Sequence, residues 1–119
     1  MKVLFVENHA RFAKVTVTQF LASHEVKVVA SVAAARQALA QSAFDVILVD
    51  YDLDDGKGDE LVRELRTQAQ RPIIIASSSH QNGNSALLAA GADAVCDKLK
   101  FSNIENVLAQ TVAERAKLS

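Results

Sequence analysis

Long apolar runs, cysteine and any surplus of one charge are all scarce in this chain of 119 residues. No apolar run approaches the roughly 20 residues that a helix needs to cross a bilayer. Met1-Lys2 leads into a short apolar segment, without the long apolar stretch and small-residue cleavage site of a secretory signal. A cytoplasmic protein with no membrane partner is the expectation. The single cysteine, Cys96, excludes an internal disulfide framework and a cysteine-built zinc site, and it fits a reducing compartment. Thirteen basic and 14 acidic groups leave a formal net charge of −1, with the cations scattered. Sequence-independent phosphate binding needs a local excess of Lys and Arg, so no direct contact with nucleic acid is expected. No stretch rich in Pro, Gly or Ser breaks the chain, and it holds neither a repeat nor a low-complexity tract. One domain over residues 1–119 follows, since two cores would not fit this length. What the chain does have is hydrophobic content of 50%, enough to exclude intrinsic disorder, and a crowding of five of its eight aspartates between Asp50 and Asp59.

Five short apolar segments recur: Val3 to Val6, Val26 to Ala30, Val46 to Val49, Ile73 to Ala76 and Ala94 to Cys96. Each is too short for a helix and most are β-branched, which predicts strands. The third and fourth are apolar on both faces, the pattern of strands buried in a parallel sheet. Helical spacing fills the intervals. Asn8 is expected to cap a helix from His9 to Ser23 with Ala13, Val17, Phe20 and Leu21 on one face, and Ser31 to cap Val32 to Gln41. Asp59 to Gln68 buries Leu61, Val62 and Leu65. A helix starting at Asn84 or Ser85 ends at Gly91 as a left-handed residue ends a helix. Ser102 with Glu105 reads as a capping box for a last helix that runs to Ala116, with fraying over Ala113 to Ser119. Five β-then-α units predict a flavodoxin-like (βα)5 fold: a doubly wound five-stranded parallel sheet between two layers of helices. Ligands of such sheets bind beyond the carboxyl ends of the strands, where the strand order reverses.

At those ends stand Glu7-Asn8, Asp50, Ser77-Ser78 and Lys98. A carboxylate at the tip of an apolar strand needs a partner, and a carboxylate, an amide, a hydroxyl and an ammonium converging on one place suit phosphoryl chemistry. Magnesium takes oxygen ligands and only one or two protein carboxylates. Asp50 and Glu7 can supply them. An EF-hand reading of Asp50-Tyr51-Asp52-Leu53-Asp54 fails, because Asp55 fills the position that needs glycine. Gly56-Lys57-Gly58 lacks the spacing of a nucleotide-binding loop. His9, His24 and His80 are too dispersed for a metal set and read as surface residues. Cys96 reads as a small buried side chain, and Asp54, Asp55 and Asp59 as solvated loop residues or a helix cap.

Over nearly its whole length the chain resembles the receiver domain of bacterial two-component response regulators, like the single-domain chemotaxis regulator. The resemblance rests on Val6-Glu7-Asn8, on Val46-Ile47-Leu48-Val49-Asp50-Tyr51-Asp52-Leu53 with Gly58, on Pro72-Ile73-Ile74-Ile75-Ala76-Ser77-Ser78 and on Gly91-Ala92-Asp93-Ala94-Val95-Cys96-Asp97-Lys98. It implies that Asp50 accepts a phosphoryl group from a histidine kinase or phosphotransfer protein, and that Ser77 and Lys98 bind the phosphoryl oxygens. It implies Mg2+ held by Glu7, Asn8, Asp50 and the backbone carbonyl of Asp52. A stand-alone signalling switch, not an enzyme, is implied. Its downstream protein target would read the face of the fourth helix, fifth strand and fifth helix, with a phosphorylation-dependent homodimer as a further state.

Three positions depart from the family pattern. Asn8 stands where an acid ligates the metal, which weakens the expected Mg2+ binding. Val95 stands where many receivers carry Tyr or Phe, so the usual aromatic readout is missing. Leu99 replaces the proline that commonly follows the lysine, and no cis peptide is expected there. Asn8 and Val95 motivate an alternative, a pseudo-receiver that binds its partner regardless of phosphorylation. A haloacid-dehalogenase-like phosphatase is the reading from another class, because Asp50-x-Asp52, Ser77 and Lys98 mimic that site. The place of the motif on the third strand counts against it.

Overall fold

Successive parallel strands in one register set the frame of the computed structural model, which describes residues 1–118. The main sheet contains β1 (Lys2–Val6), β2 (Glu25–Val29), β3 (Val46–Val49), β6 (Ile73–Ala76) and β7 (Ala94–Val95), in the order β2-β1-β3-β6-β7. Two further strands, β4 (Asp52–Leu53) and β5 (Gly56–Lys57), form a small antiparallel hairpin. The helices are α1 (Ala10–Phe20), α2 (Val32–Gln41), α3 (Gly58–Leu65), α4 (Gln81–Ala90) and α5 (Ile104–Leu118). The expected doubly wound parallel sheet is therefore present, and its order reverses between β1 and β3.

Alternation along the strands builds two cores. Leu4, Val6, Ile47, Val49, Ile74 and Ala76 pack with Val32, Ala35, Leu61, Val62, Leu65 and Leu87 of α2, α3 and α4. Val3, Phe5, Val46, Leu48, Ile73 and Ile75 face the other way, toward Ala13 of α1, Phe101, and Ile104 and Leu108 of α5. Both faces are covered, which is why β3 and β6 are apolar without interruption. No helix among the described residues is long and apolar enough to cross a membrane.

Several expected ends move. Helix α1 starts at Ala10 with His9 as its flanking residue, and no side chain caps it; Asn8 is not the cap. Ser31 does cap α2, accepting from the Ala34 N–H at 3.0 Å. Helix α4 begins at Gln81, three residues before Asn84, and it ends at Gly91 with φ +126°, as expected. Ser102 is not a cap: it lies inside a 3-10 turn, Lys98–Asn103, that precedes α5, and Glu105 reaches His24 instead. The helix runs on to Leu118, so the expected fraying does not extend over Ala113 to Leu118, while Ser119 lies outside the described residues. The aspartate-rich segment gave no strand signal, yet its Leu53 is buried and pins the hairpin to the core.

Candidate functional site

Register brings three of the expected residues to one edge. Val6, Val49 and Ala76 are the last residues of three adjacent strands paired in step. The next residues, Glu7, Asp50 and Ser77, continue the ladder: Asp50 N–H donates to the Val6 carbonyl at 3.0 Å and Ser77 N–H to the Val49 carbonyl at 2.9 Å. The two-residue period of a strand then assigns all three to the face opposite Val6, Val49 and Ala76, the side of α1 and α5. All three are buried.

Lys98 arrives from the turn after β7. Its Nζ lies 2.8 Å from Glu7 Oε1 and 3.4 Å from Asp50 Oδ2. The ammonium also sits 4.7 Å from the centre of the Phe12 ring, a cation–π contact supplied by α1 that the sequence pattern gave no reason to single out. The remaining carboxylate oxygens meet backbone donors: Glu7 Oε2 accepts from His9 N–H at 3.0 Å and Asp50 Oδ1 from Tyr51 N–H at 2.8 Å. Burial pushes the Glu7 carboxyl above its ordinary value, with the nearby Asp50 charge adding to the push and Lys98 and the His9 N–H opposing it. Two carboxylates share one ammonium, so the cluster retains an appetite for positive charge.

Among the described residues three buried side-chain oxygens lack a hydrogen bond, and of these only Glu7 Oε1 is compensated, by the Lys98 ammonium. Asn8 Oδ1 and Ser77 Oγ are buried and have no hydrogen-bond partner. Buried polar atoms normally find one, so each of these oxygens is available to bond a further atom. An amide oxygen one residue after Glu7, taken with the Glu7 and Asp50 carboxylates, is the kind of oxygen donor set that a hard cation such as Mg2+ takes. Among the described residues no group of three or more His, Cys, Asp or Glu side chains is placed to hold a metal ion. The Asp52 carboxylate is exposed and pairs with Lys57 inside the β4–β5 hairpin.

Close packing fixes the loop after Asp50. A Cβ on Gly58 would lie 2.0 Å from the Asp50 backbone oxygen and 2.8 Å from Val49 Cγ1, so only glycine lets α3 start here. Gly58 N–H donates to the Tyr51 carbonyl at 2.7 Å, closing the loop over the hairpin. Other expected surface residues turn out to be structural ties. Asp55 accepts from the N–H groups of Val32 and Ala33 at 2.7 and 3.0 Å, holding the hairpin to the start of α2. His24, far from loose on the surface, has its ring between the chain's amino terminus at 3.1 Å and Glu105 at 2.7 Å. His9 and His80 are exposed beside the site, Val95 is half-buried, and Leu99 is 81% exposed with no cis peptide among the described residues.

Comparison with known proteins bears on this geometry. A family model described as the response regulator receiver domain matches residues 3–109. No curated protein matches the chain. Among solved structures it is similar to a CheY-like response regulator receiver domain protein from Methanospirillum hungatei JF-1, with a TM-score of 0.84 and 20% identity over 99% of this chain and 98% of that one. A CheY-like receiver domain from Methylobacillus flagellatus gives 0.79 and 22%, covering 93% of this chain and 98% of that one. The response regulator TrrA from Thermotoga maritima, solved in complex with Mg2+ and BeF, gives 0.81 and 16%, covering 92% and 97%. At these identities the structural likeness is one of fold.

Proposed function

The chain belongs to the receiver domain family of two-component response regulators, and from that premise we propose that Asp50 is its phosphoacceptor. The observation that carries the reading is the buried cluster itself: Lys98 Nζ between Glu7 and Asp50 at the strand ends, where Asn8 and Ser77 carry buried oxygens without a hydrogen-bond partner. A histidine kinase or phosphotransfer protein is the donor. An Asp50 carboxylate oxygen attacks phosphorus, a P–O bond forms, the P–N bond to the donor histidine breaks, and the imidazole keeps the electron pair. Lys98 follows the charge from carboxylate to phosphoryl oxygen, and the Ser77 hydroxyl donates to a second oxygen. Glu7, Asn8, Asp50 and the Asp52 backbone carbonyl are the residues that would hold Mg2+, whose charge offsets that of the transferring oxygens.

Transfer is stoichiometric, so the domain acts as a switch and not by substrate turnover. The added charge biases two arrangements of the face formed by α4, β7 and α5, where a downstream protein or a second phosphorylated copy docks. Leu88 is exposed on α4. The cytoplasm, where the donor's phosphohistidine resides, is the compartment proposed.

Incubation with acetyl phosphate and Mg2+ tests the reading by intact mass. A gain of one phosphoryl group, absent in Asp50→Asn, is expected; no Asp50-dependent gain would overturn it. Asn8 favours one other reading, the pseudo-receiver. In that case Asn8→Asp gains phosphorylation that the parent lacks.

A further inference from the structure

The Asn84 side chain closes two hydrogen bonds on a single residue of the loop between β6 and α4. Its Oδ1 accepts from the Ser78 N–H at 2.9 Å, and its Nδ2 donates to the Ser78 carbonyl at 3.0 Å. Both residues are buried. The same Ser78 carbonyl accepts from the backbone N–H of Lys98 at 3.1 Å, so one peptide oxygen joins α4 to the turn that carries the ammonium. The Ser78 hydroxyl accepts from His80 N–H at 3.2 Å. Gly83 makes the approach feasible: a Cβ there would stand 2.7 Å from Ser78 Oγ and 2.9 Å from Tyr51 Cβ.

Ser77 is thus held on both sides, by β3 through its own N–H and by α4 through Ser78, while its hydroxyl is buried and unpartnered. A hydroxyl on a fixed backbone meets a ligand by turning about χ1 alone, without reorganising the main chain. We infer that Asn84 is a positioning residue for phosphoryl binding, clamping Ser78 so that the Ser77 hydroxyl and the Lys98 ammonium face the phosphoryl group as one preset pair. This rests on the reading of Asp50 as phosphoacceptor. The Asn84 amide bonds the Ser78 backbone, and through it the clamp reaches the backbone N–H of Lys98 rather than the ammonium that pairs with the proposed Mg2+ ligands Glu7 and Asp50, so its main effect falls on the phosphoryl half of the site.

Titration of the full chain with Mg2+ and then with beryllium fluoride, followed by NMR, separates the two halves. In Asn84→Ala the Mg2+ affinity stays within about twofold of the parent, beryllium fluoride affinity falls about tenfold, and the Ser78 amide exchanges faster. Combined with Ser77→Ala the losses are less than additive, because Asn84 acts through Ser77. Equal losses for both ligands, unchanged beryllium fluoride affinity, or full additivity would overturn the inference. Asn84→Ser repeats the test if the alanine variant does not fold; failure of both to fold makes Asn84 a structural residue and ends the proposal. A parent that takes up no beryllium fluoride defeats the phosphoacceptor reading itself, whereas a responsive parent with an indifferent variant defeats only the role of Asn84.

Discussion

Asp93 and Arg71 form a bidentate pair at 2.7 and 2.8 Å, at the end of the sheet opposite the candidate site. Asp93 also accepts from Ile74 N–H at 2.8 Å, fixing the turn before β7 to β6. Burial works to raise its carboxyl, but Arg71 and the Ile74 N–H outweigh that and hold it below the ordinary 3.8. A depressed carboxyl contributes stability above its unfolded value, lost as pH falls through the folded one. Asp93→Asn therefore costs about 2 kcal/mol at pH 7. Urea melts at pH 7 and pH 3 check it, with the gap between parent and variant closing at the lower pH. Cys96 presents the reverse case. Burial, with the charge of Asp97 adding to it, pushes its thiol up to about 11, and the thiol donates to the Lys100 carbonyl at 3.7 Å. Only thiolate reacts, so at pH 8 a thiol-specific disulfide reagent modifies the folded protein at least roughly a hundredfold more slowly than the urea-unfolded chain. Equal rates would show that Cys96 is not sheltered.

At the scale of elements, the junction between β3 and α3 carries the sharpest constraint. Gly58→Ala forces a methyl group against the Asp50 backbone oxygen, which has no room to retreat while its own N–H is bonded to Val6. The cost is about 3 kcal/mol in a denaturant melt, and the Asp50 and Tyr51 amide resonances shift most; a neutral substitution would mean that α3 starts elsewhere. Elements of this kind were partly legible in the sequence. Buried strands announce themselves because both faces are apolar, and Asp50 stood out because it ends one. Gly91 was legible because a left-handed helix end needs glycine. The start of α4 was not, because the Asn84 amide that looked like a cap bonds backward to Ser78 and leaves the helix to begin without one. The roles of Asp55, Asp93 and His24 were hidden for a related reason. Their partners lie 19 to 81 residues away, and no local periodicity encodes such a pairing.

On the scale of the whole molecule, the sheet converts sequence-distant residues into one charge cluster between two cores. Glu7, Asp50 and Lys98 are separated by 43 and 48 residues along the chain, counting 7 to 50 and 50 to 98, yet they meet within 3.4 Å contacts. The stability of the domain is therefore tied to the charge balance there. Asn8→Asp places a third carboxylate beside two that already share one ammonium, so without divalent cation the variant melts below the parent. Mg2+ binds the folded chain and not the unfolded one, and its stabilisation grows with affinity as RT ln(1 + [L]/Kd). If Asn8 is a metal ligand, exchanging its amide for a carboxylate tightens binding by tenfold or more, about 1.4 kcal/mol, and adds roughly 4–8 °C to the rise in Tm that saturating Mg2+ produces. Thermal melts of both proteins across a Mg2+ series measure the difference. The crossing of the two Tm curves, with the variant lower at zero Mg2+ and gaining more as Mg2+ is added, distinguishes a ligand at position 8 from a charge that merely destabilises. Parallel curves would remove Asn8 from the proposed metal set.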